Sequence, residues 1–194
     1  MLGVALAGAL ATLAALGLAR SGGPAPRLNA EPVTPARAAP PTAGRDVDGT
    51  PVSVPRPGRP AVVTFLFANC PDVCPLVASE ISRALDRLGP AAAGLDVVAV
   101  SVDPRGDTPA AVRDFLRRHR LTGRMRYLIG SERELRPIWR AWYAAAQPAR
   151  APASVHTARI VLVDRTGRQV GAYSAGVPIP VEDLAADLRT LLER

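Results

Sequence analysis

The sequence contains no lysine: all 24 of its basic residues are arginine. Against 17 acidic residues this leaves a formal charge of +7, which on charge alone would suit nucleic acid. No arginine-rich run interleaved with aromatics occurs and no nucleic-acid motif is present, so the charge reads as a solvated surface and no nucleic-acid partner is expected. Methionine is confined to Met1 and Met125, which excludes a methionine-rich metal-carrying tract. Histidine is confined to His119 and His156, and cysteine to Cys70 and Cys74. That supply is too small for a disulfide-rich scaffold or for the two paired ligand motifs of a structural zinc module. No internal repeat is found. What is plentiful is apolar: 48% of the residues, enough for a real core and too much for wholesale disorder.

The apolar residues are unevenly spread. Residues 1–19, MLGVALAGALATLAALGLA, carry no charged side chain, and about 17–25 apolar residues cross a bilayer. Residues 1–20 are therefore expected to be a membrane anchor or signal segment. A basic stretch ahead of the apolar run and an A-x-A cleavage site after it are both missing, which favours an uncleaved anchor. No cysteine follows closely enough for a lipoprotein. Arg20, Arg27 and Arg37 come after the run, opposite to the charge bias of an exported domain. Export remains the expectation, because such a segment does not join a soluble core cheaply. Residues 21–44 hold six prolines and no periodic apolar pattern, and are expected to be an extended linker. The globular part is then 45–194.

Within it, GRDVDGTPVSVP predicts a short N-terminal hairpin turning at Asp48-Gly49. Ala61 to Phe67 is a continuous apolar run, as in a strand buried on both faces. Pro75 suits a first helical position, and Ile81, Ala84, Leu85 and Leu88 recur at helical spacing, predicting a helix over 75–88. LDVVAVSVD, Leu95 to Asp103, reads as a second buried strand. Thr108-Pro109 reads as an N-cap and first residue of a helix with Val112, Phe115 and Leu116 on its apolar stripe. Met125 to Ile129 is a third strand. Ser131 and Glu134 predict a capping box for a helix carrying Leu135, Ile138, Trp139 and Trp142, with both tryptophans in the core and Pro137 implying a kink or a late start. TARIVLVDRTGRQVGAY is a hairpin turning at Asp164 to Gly167, and Val181, Leu184, Leu188 and Leu191 mark a closing amphipathic helix. This order predicts an α/β domain with a central mixed sheet flanked by helices.

The chemistry concentrates in NCPDVCP, Asn69 to Pro75, at a strand-to-helix junction. A disulfide there closes a tiny loop and gives little entropic stabilisation. A redox pair or a pair of metal ligands is favoured over that staple and over two buried cysteines without a role, since helix amides and the dipole favour thiolate and i, i+4 spacing lets both sulfurs face one atom.

These residues resemble the Sco/SenC family of copper-binding, thioredoxin-fold assembly factors. The resemblance is carried by VTFLFANCPDVCPLVASEISRAL, then VSVDPRGDTPAAVRDFL, then VHTARIVLVDRTGRQVGAY, and spans about residues 45–194 in the expected order. It implies a thioredoxin-like fold and a membrane-tethered domain whose two cysteines and a distant histidine bind copper. Cys70 and Cys74 match the cysteine ligands, His156 the third ligand, and Asp103 an acidic residue near the site. It further implies a metallochaperone for the binuclear copper site of cytochrome c oxidase, carried on subunit II, or for a related periplasmic copper protein. The domain would then be anchored to the membrane on its extracytoplasmic, periplasmic side. The donor set agrees: thiolates are soft and suit Cu(I), and an imidazole extends the site to Cu(II).

The alternative function is a thiol–disulfide oxidoreductase keeping target cysteines reduced, in which Cys70 and Cys74 are the redox pair and cycle through a disulfide. Its spacing is C-x-x-x-C rather than C-x-x-C. Either role draws on a thiol–disulfide reductant, because disulfides persist outside the cytoplasm. Zinc held by Cys70, Cys74, His156 and Asp103 ranks third. A peroxidase is disfavoured, since Phe67 and Pro71 stand where a hydroxyl residue would precede each thiol by three. His119 extends a helical apolar stripe and is expected to pack.

Overall fold

The run Ala61 to Phe67 becomes the middle of the sheet. The computed structural model describes residues 27–144, 159–174 and 177–194. The expected anchor or signal segment, residues 1–20, and His156 lie outside them, and no described helix is long and apolar enough to cross a membrane.

The strands are β1 (Glu31–Ala38), β2 (Thr42–Asp46), β3 (Pro51–Val54), β4 (Ala61–Leu66), β5 (Asp96–Ser101), β6 (Arg126–Ile129), β7 (Arg159–Val163) and β8 (Arg168–Ser174). The helices are α1 (Val73–Leu88), α2 (Pro109–Arg118), α3 (Glu132–Trp142) and α4 (Val181–Glu193), with a 3-10 turn at Gly89–Gly94. All eight strands form one sheet in the order β1-β8-β7-β4-β5-β6-β2-β3. β4, β5 and β6 are parallel and the remaining pairings antiparallel, so the sheet is mixed.

Alternation along β4 sorts its side chains between two layers, because successive residues of a strand point to opposite faces. Val62 and Leu66 pack with α1, α2 and α4; Ala61, Val63 and Phe65 pack with α3. Every residue of β4 is buried, which is why its sequence is apolar on both faces, Thr64 excepted, rather than alternating. α3 is locked to the sheet by its tryptophans. The Trp139 indole donates to the Ser101 carbonyl at 2.8 Å, and Trp142 to the Thr42 hydroxyl at 2.7 Å. The expected capping box of Ser131 and Glu134 is formed, and α3 starts at Glu132 with Pro137 inside it rather than late. Pro137 and Arg133 are both exposed, so the carbonyl deprived of its helical partner can be hydrated.

Two expectations are corrected. Residues 31–38, assigned from sequence to a linker over 21–44, form β1 on the edge of the sheet against β8. An edge strand needs only its inward amides, so Pro32 and Pro35 are tolerated, and they blunt the open edge. The register shifts between Pro32 and Arg37, where the second proline falls. α1 begins at Val73 rather than 75, which places Cys74 inside the helix and Pro75 at its third residue. Proline is still harmless there, since amides of the first turn have no helical acceptor.

The entry of the chain into β1 is clamped by a buried carboxylate that the sequence did not single out. Asp187 of α4 accepts from the Asn29 amide (2.8 Å), the Ala30 amide (2.8 Å), the Asn29 side chain (3.0 Å) and the Tyr173 hydroxyl (2.6 Å). Asp187→Ala strips these donors of their acceptor. It is expected to lower the unfolding free energy by about 2–5 kcal/mol, read in urea titrations, and a loss below about 1 kcal/mol would contradict the clamp.

Candidate metal centre

β4 carries the chain to Leu66, and after six intervening residues α1 starts at Val73. Asp72 occupies the N-cap position, yet its side chain makes no capping hydrogen bond, and the first turn contains no acidic residue. The free amides are met by sulfur instead. The Cys74 amide donates to Cys70 Sγ at 3.4 Å, and the amides of Asp72 and Val73 also point to it. Cys70 Sγ thus does the work of a capping oxygen.

The two thiols lie close together, and both are buried and joined by no disulfide. The Cys74 hydrogen bond and the three amides draw the Cys70 pKa down to about 6, against the opposing effect of burial. Cys74 moves the other way. Its bond to Cys70 and its burial push its pKa up, with the Asp107 charge adding to the rise. The pair therefore biases Cys70 toward thiolate and the shared proton toward Cys74.

A second loop, Asp103 to Asp107, braces this turn. The Asn69 amide side chain donates to the Gly106 carbonyl at 3.2 Å, and the buried Asp107 carboxylate accepts from the Ala68 amide at 2.6 Å. Asp103 folds onto its own loop, accepting from the amides of Gly106 (3.1 Å) and Arg105 (3.3 Å). A Cβ on Gly106 would lie 2.2 Å from Asp103 Oδ2, so a side chain there would displace the Asp103 carboxylate from its place on the loop. Burial raises the Asp107 pKa to about 6, opposed by the Ala68 amide and the Ser101 and Tyr127 hydroxyls, with the Asp103 charge adding to the rise. Nothing in SVDPRGDTP marks Asp107 as buried: beside Thr108-Pro109 it reads as an exposed residue ahead of a helix.

Among the described residues, no group of three His, Cys, Asp or Glu forms a cluster able to hold a metal. Asp103 therefore does not complete a three-member set with the thiols, and His156 lies outside the described residues. The next described residue, Arg159, opens β7. Thr64 pairs with Ile160, so β7 begins at the end of β4 that delivers the cysteines. His119 packs as expected. Its ring lies 4.5 Å from that of Phe115 and its Nδ1 3.2 Å from Ser79 Oγ, bridging α2 to α1, and burial and the Arg118 charge lower its pKa. A cavity of about 580 Å³ lined by Val52, Leu85, Leu95 and Asp96 lies at the opposite end of the parallel strands from the thiols, without a thiol or imidazole. The reactive chemistry lies with the cysteines.

The profile of the SCO1/SenC family matches residues 44–193. Protein SenC of Rhodobacter capsulatus is 29% identical over 111 residues, covering 55% of this chain and 49% of that protein. The mitochondrial SCO1 homolog 1 of Arabidopsis thaliana is 31% identical over 117 residues, covering 53% of this chain and 34% of that one. The chain thus matches about half or less of the length of these two relatives. Among solved structures, copper-bound ScoI of Bradyrhizobium japonicum superposes with a TM-score of 0.66 at 30% identity, covering 80% of this chain and 99% of its own. The apo Sco1 protein of Thermus thermophilus superposes with a TM-score of 0.70 at 26% identity, covering 87% and 99%. The eight-stranded mixed sheet, the strand–Cys–helix junction and the match over 44–193 lead to one conclusion: the chain belongs to the SCO1/SenC family and has its thioredoxin-like fold.

Proposed function

We propose that the chain is a copper metallochaperone that holds copper through Cys70, Cys74 and His156 and assists assembly of the binuclear copper site of cytochrome c oxidase. One observation carries the reading: two buried sulfurs close together at a helix N-terminus that no oxygen caps, one of them accepting from the Cys74 amide. Two thiolates on Cu(I) leave one net negative charge, which the amides of Asp72, Val73 and Cys74 and the helix dipole offset. Soft sulfur suits Cu(I), and the imidazole of His156 would complete a three-coordinate site. Copper is cargo in this scheme. The chain's own residues supply the donors, exclude water and hold the sulfurs together. The membrane segment at 1–20 would keep the domain on the extracytoplasmic face, where subunit II of the oxidase or a related periplasmic copper protein accepts the metal.

Titration of the reduced full chain is expected to reach about one Cu(I) per molecule, with His156→Ala weakening binding at least tenfold, about 1.4 kcal/mol. Unchanged affinity in that variant would remove His156 from the site.

A second reading is favoured by the asymmetry of the thiols. Cys70 is drawn toward thiolate while Cys74 retains its proton, which suits an attacking and a resolving cysteine of a thiol–disulfide oxidoreductase. The two roles share one gate. Oxidation removes two electrons and two protons from the pair and forms the Cys70–Cys74 disulfide, whose sulfurs are poor ligands. A dithiol reductant returns both electrons and protons and is itself oxidised to its disulfide. Air-oxidised protein is therefore expected to take up little Cu(I) until reduced, measured as copper bound per chain before and after thiol treatment. Equal loading of the two forms would exclude the gate.

Asp103 is assigned to delivery rather than retention, since a carboxylate is a hard ligand and Cu(I) is soft. Asp103→Asn is expected to keep its copper through gel filtration while passing it more slowly to a purified subunit II domain. Loss of Cu(I) from the variant itself would instead make Asp103 a ligand.

A further inference from the structure

Asp107 is 4% exposed, and its carboxylate has two engaged oxygens. Oδ1 accepts from the Ala68 amide at 2.6 Å, and Oδ2 accepts from the Tyr127 hydroxyl at 3.1 Å. Tyr127, on β6, is itself fully buried and packs edge-on against Phe115 of α2, so its hydroxyl has little freedom to turn elsewhere. Ala68 lies two residues before Cys70, in the turn between β4 and α1. The intervening residue, Asn69, is tied to the same loop by its bond to the Gly106 carbonyl at 3.2 Å. The two residues that lead into Cys70 are thus both held from the Asp103–Asp107 loop.

We propose that Asp107, oriented by the Tyr127 hydroxyl, is a positioning residue for the Cys70–Cys74 pair: by gripping the Ala68 amide it sets the path of the turn that lays Cys70 Sγ on the amides of α1. The inference deepens the metal and redox reading above and rests on it for its biological meaning, but its physical content concerns the metal-free thiols alone. A carboxylate suits the place because the Ala68 amide and the Tyr127 and Ser101 hydroxyls converge on it and it is an acceptor at both oxygens. Without it the buried Ala68 amide has no partner, and the turn must move to find one. Cys70 Sγ then leaves the amides of Asp72, Val73 and Cys74, which are among the groups favouring its thiolate. Groups that orient a reactive centre from behind typically matter by about tenfold or more when removed.

The sign of the effect separates positioning from simple electrostatics. Asp107 is an anion near the thiols, so deleting its charge while leaving the geometry intact would favour thiolate and speed alkylation. Loss of position does the reverse. Asparagine keeps an acceptor for Ala68, and its amide can donate to the Tyr127 oxygen; alanine keeps neither.

The test uses reduced, metal-free full chain as wild type, Asp107→Ala, Asp107→Asn and Tyr127→Phe. The rate of Cys70 alkylation by iodoacetamide at pH 7 is followed by peptide mapping, and the midpoint potential of the Cys70–Cys74 couple is measured against glutathione. Asp107→Ala is expected to slow Cys70 alkylation about tenfold and to shift the potential. Asp107→Asn is expected to react within about threefold of the wild type, the rescue that a filler of the core would not give. Tyr127→Phe is expected to slow the reaction about threefold, and decides the matter if Asp107→Ala does not fold. An Asp107→Ala rate equal to or above that of the wild type overturns the proposal. So does equal slowing in Asp107→Asn, or an unaltered rate and potential in Tyr127→Phe. Copper affinity enters none of these readouts, so their failure leaves the metallochaperone reading standing, and failure of copper binding leaves them interpretable.

Discussion

A helix beginning in the interior must find acceptors for its first amides, and α1 finds one in a sulfur. Asp72 is placed to cap and does not, and no acidic side chain lies in the first turn. Cys70 Sγ takes the position instead. The consequence reaches in both directions. The helix gains an acceptor, and the sulfur gains a set of dipoles that favours its negative form. Cys74, carried on the same first turn, is held against Cys70 by the rigidity of the helix, so the geometry of the pair and the start of the helix are one structural fact.

That arrangement has to be aimed, and the aiming comes from the sheet and from a second loop. β4 lies between β5 and β7, is buried along its whole length, and ends where the turn begins, so the turn starts from a fixed point. β5, parallel to β4, ends at the same level and feeds the Asp103–Asp107 loop. Within the loop, Gly106 leaves room for the Asp103 carboxylate, and its carbonyl accepts from the Asn69 side chain of the turn. Two adjacent parallel strands thus deliver the reactive residues and their support to one edge of the molecule, the usual site of chemistry in layered α/β folds.

Other buried charges serve the frame. Asp187 gathers the backbone of Asn29 and Ala30 onto α4 and β8. Glu80, on α1, holds the Ile179 amide at 2.7 Å just ahead of α4. The burial of Asp187 is compensated by backbone donors, the condition under which a buried charge is tolerated, whereas Glu80 is engaged only at Oε1 and burial raises its pKa. The exposed arginine pairs of α2 and α3, such as Arg118 with Asp114 and Arg136 with Glu132, bridge one helical turn and contribute far less. The absence of lysine has its main effect on this surface.

Whatever follows from period and local chemistry is legible in the residues alone. The apolar runs at Ala61 and Leu95, the Ser131–Glu134 capping box, the Thr108 cap and the Asp164–Gly167 turn are local signals, and each names its element within a residue or two. The cysteine spacing belongs with them: i, i+4 at a strand-to-helix junction is enough to say that two sulfurs can converge. Tertiary structure decided the rest, because the deciding partners are distant in the chain. Prolines at 32 and 35 read as a tether until β8 offers an edge on which their missing amides cost nothing. Pro75 reads as a first helical residue until Cys70 Sγ draws the helix start back to Val73. Asp187 meets Ala30 across 157 residues, Asp107 meets Ala68 across 39, and neither pairing has a local signature. A buried carboxylate and an exposed one are the same letter in the sequence. Only the fold supplies the amides that distinguish them.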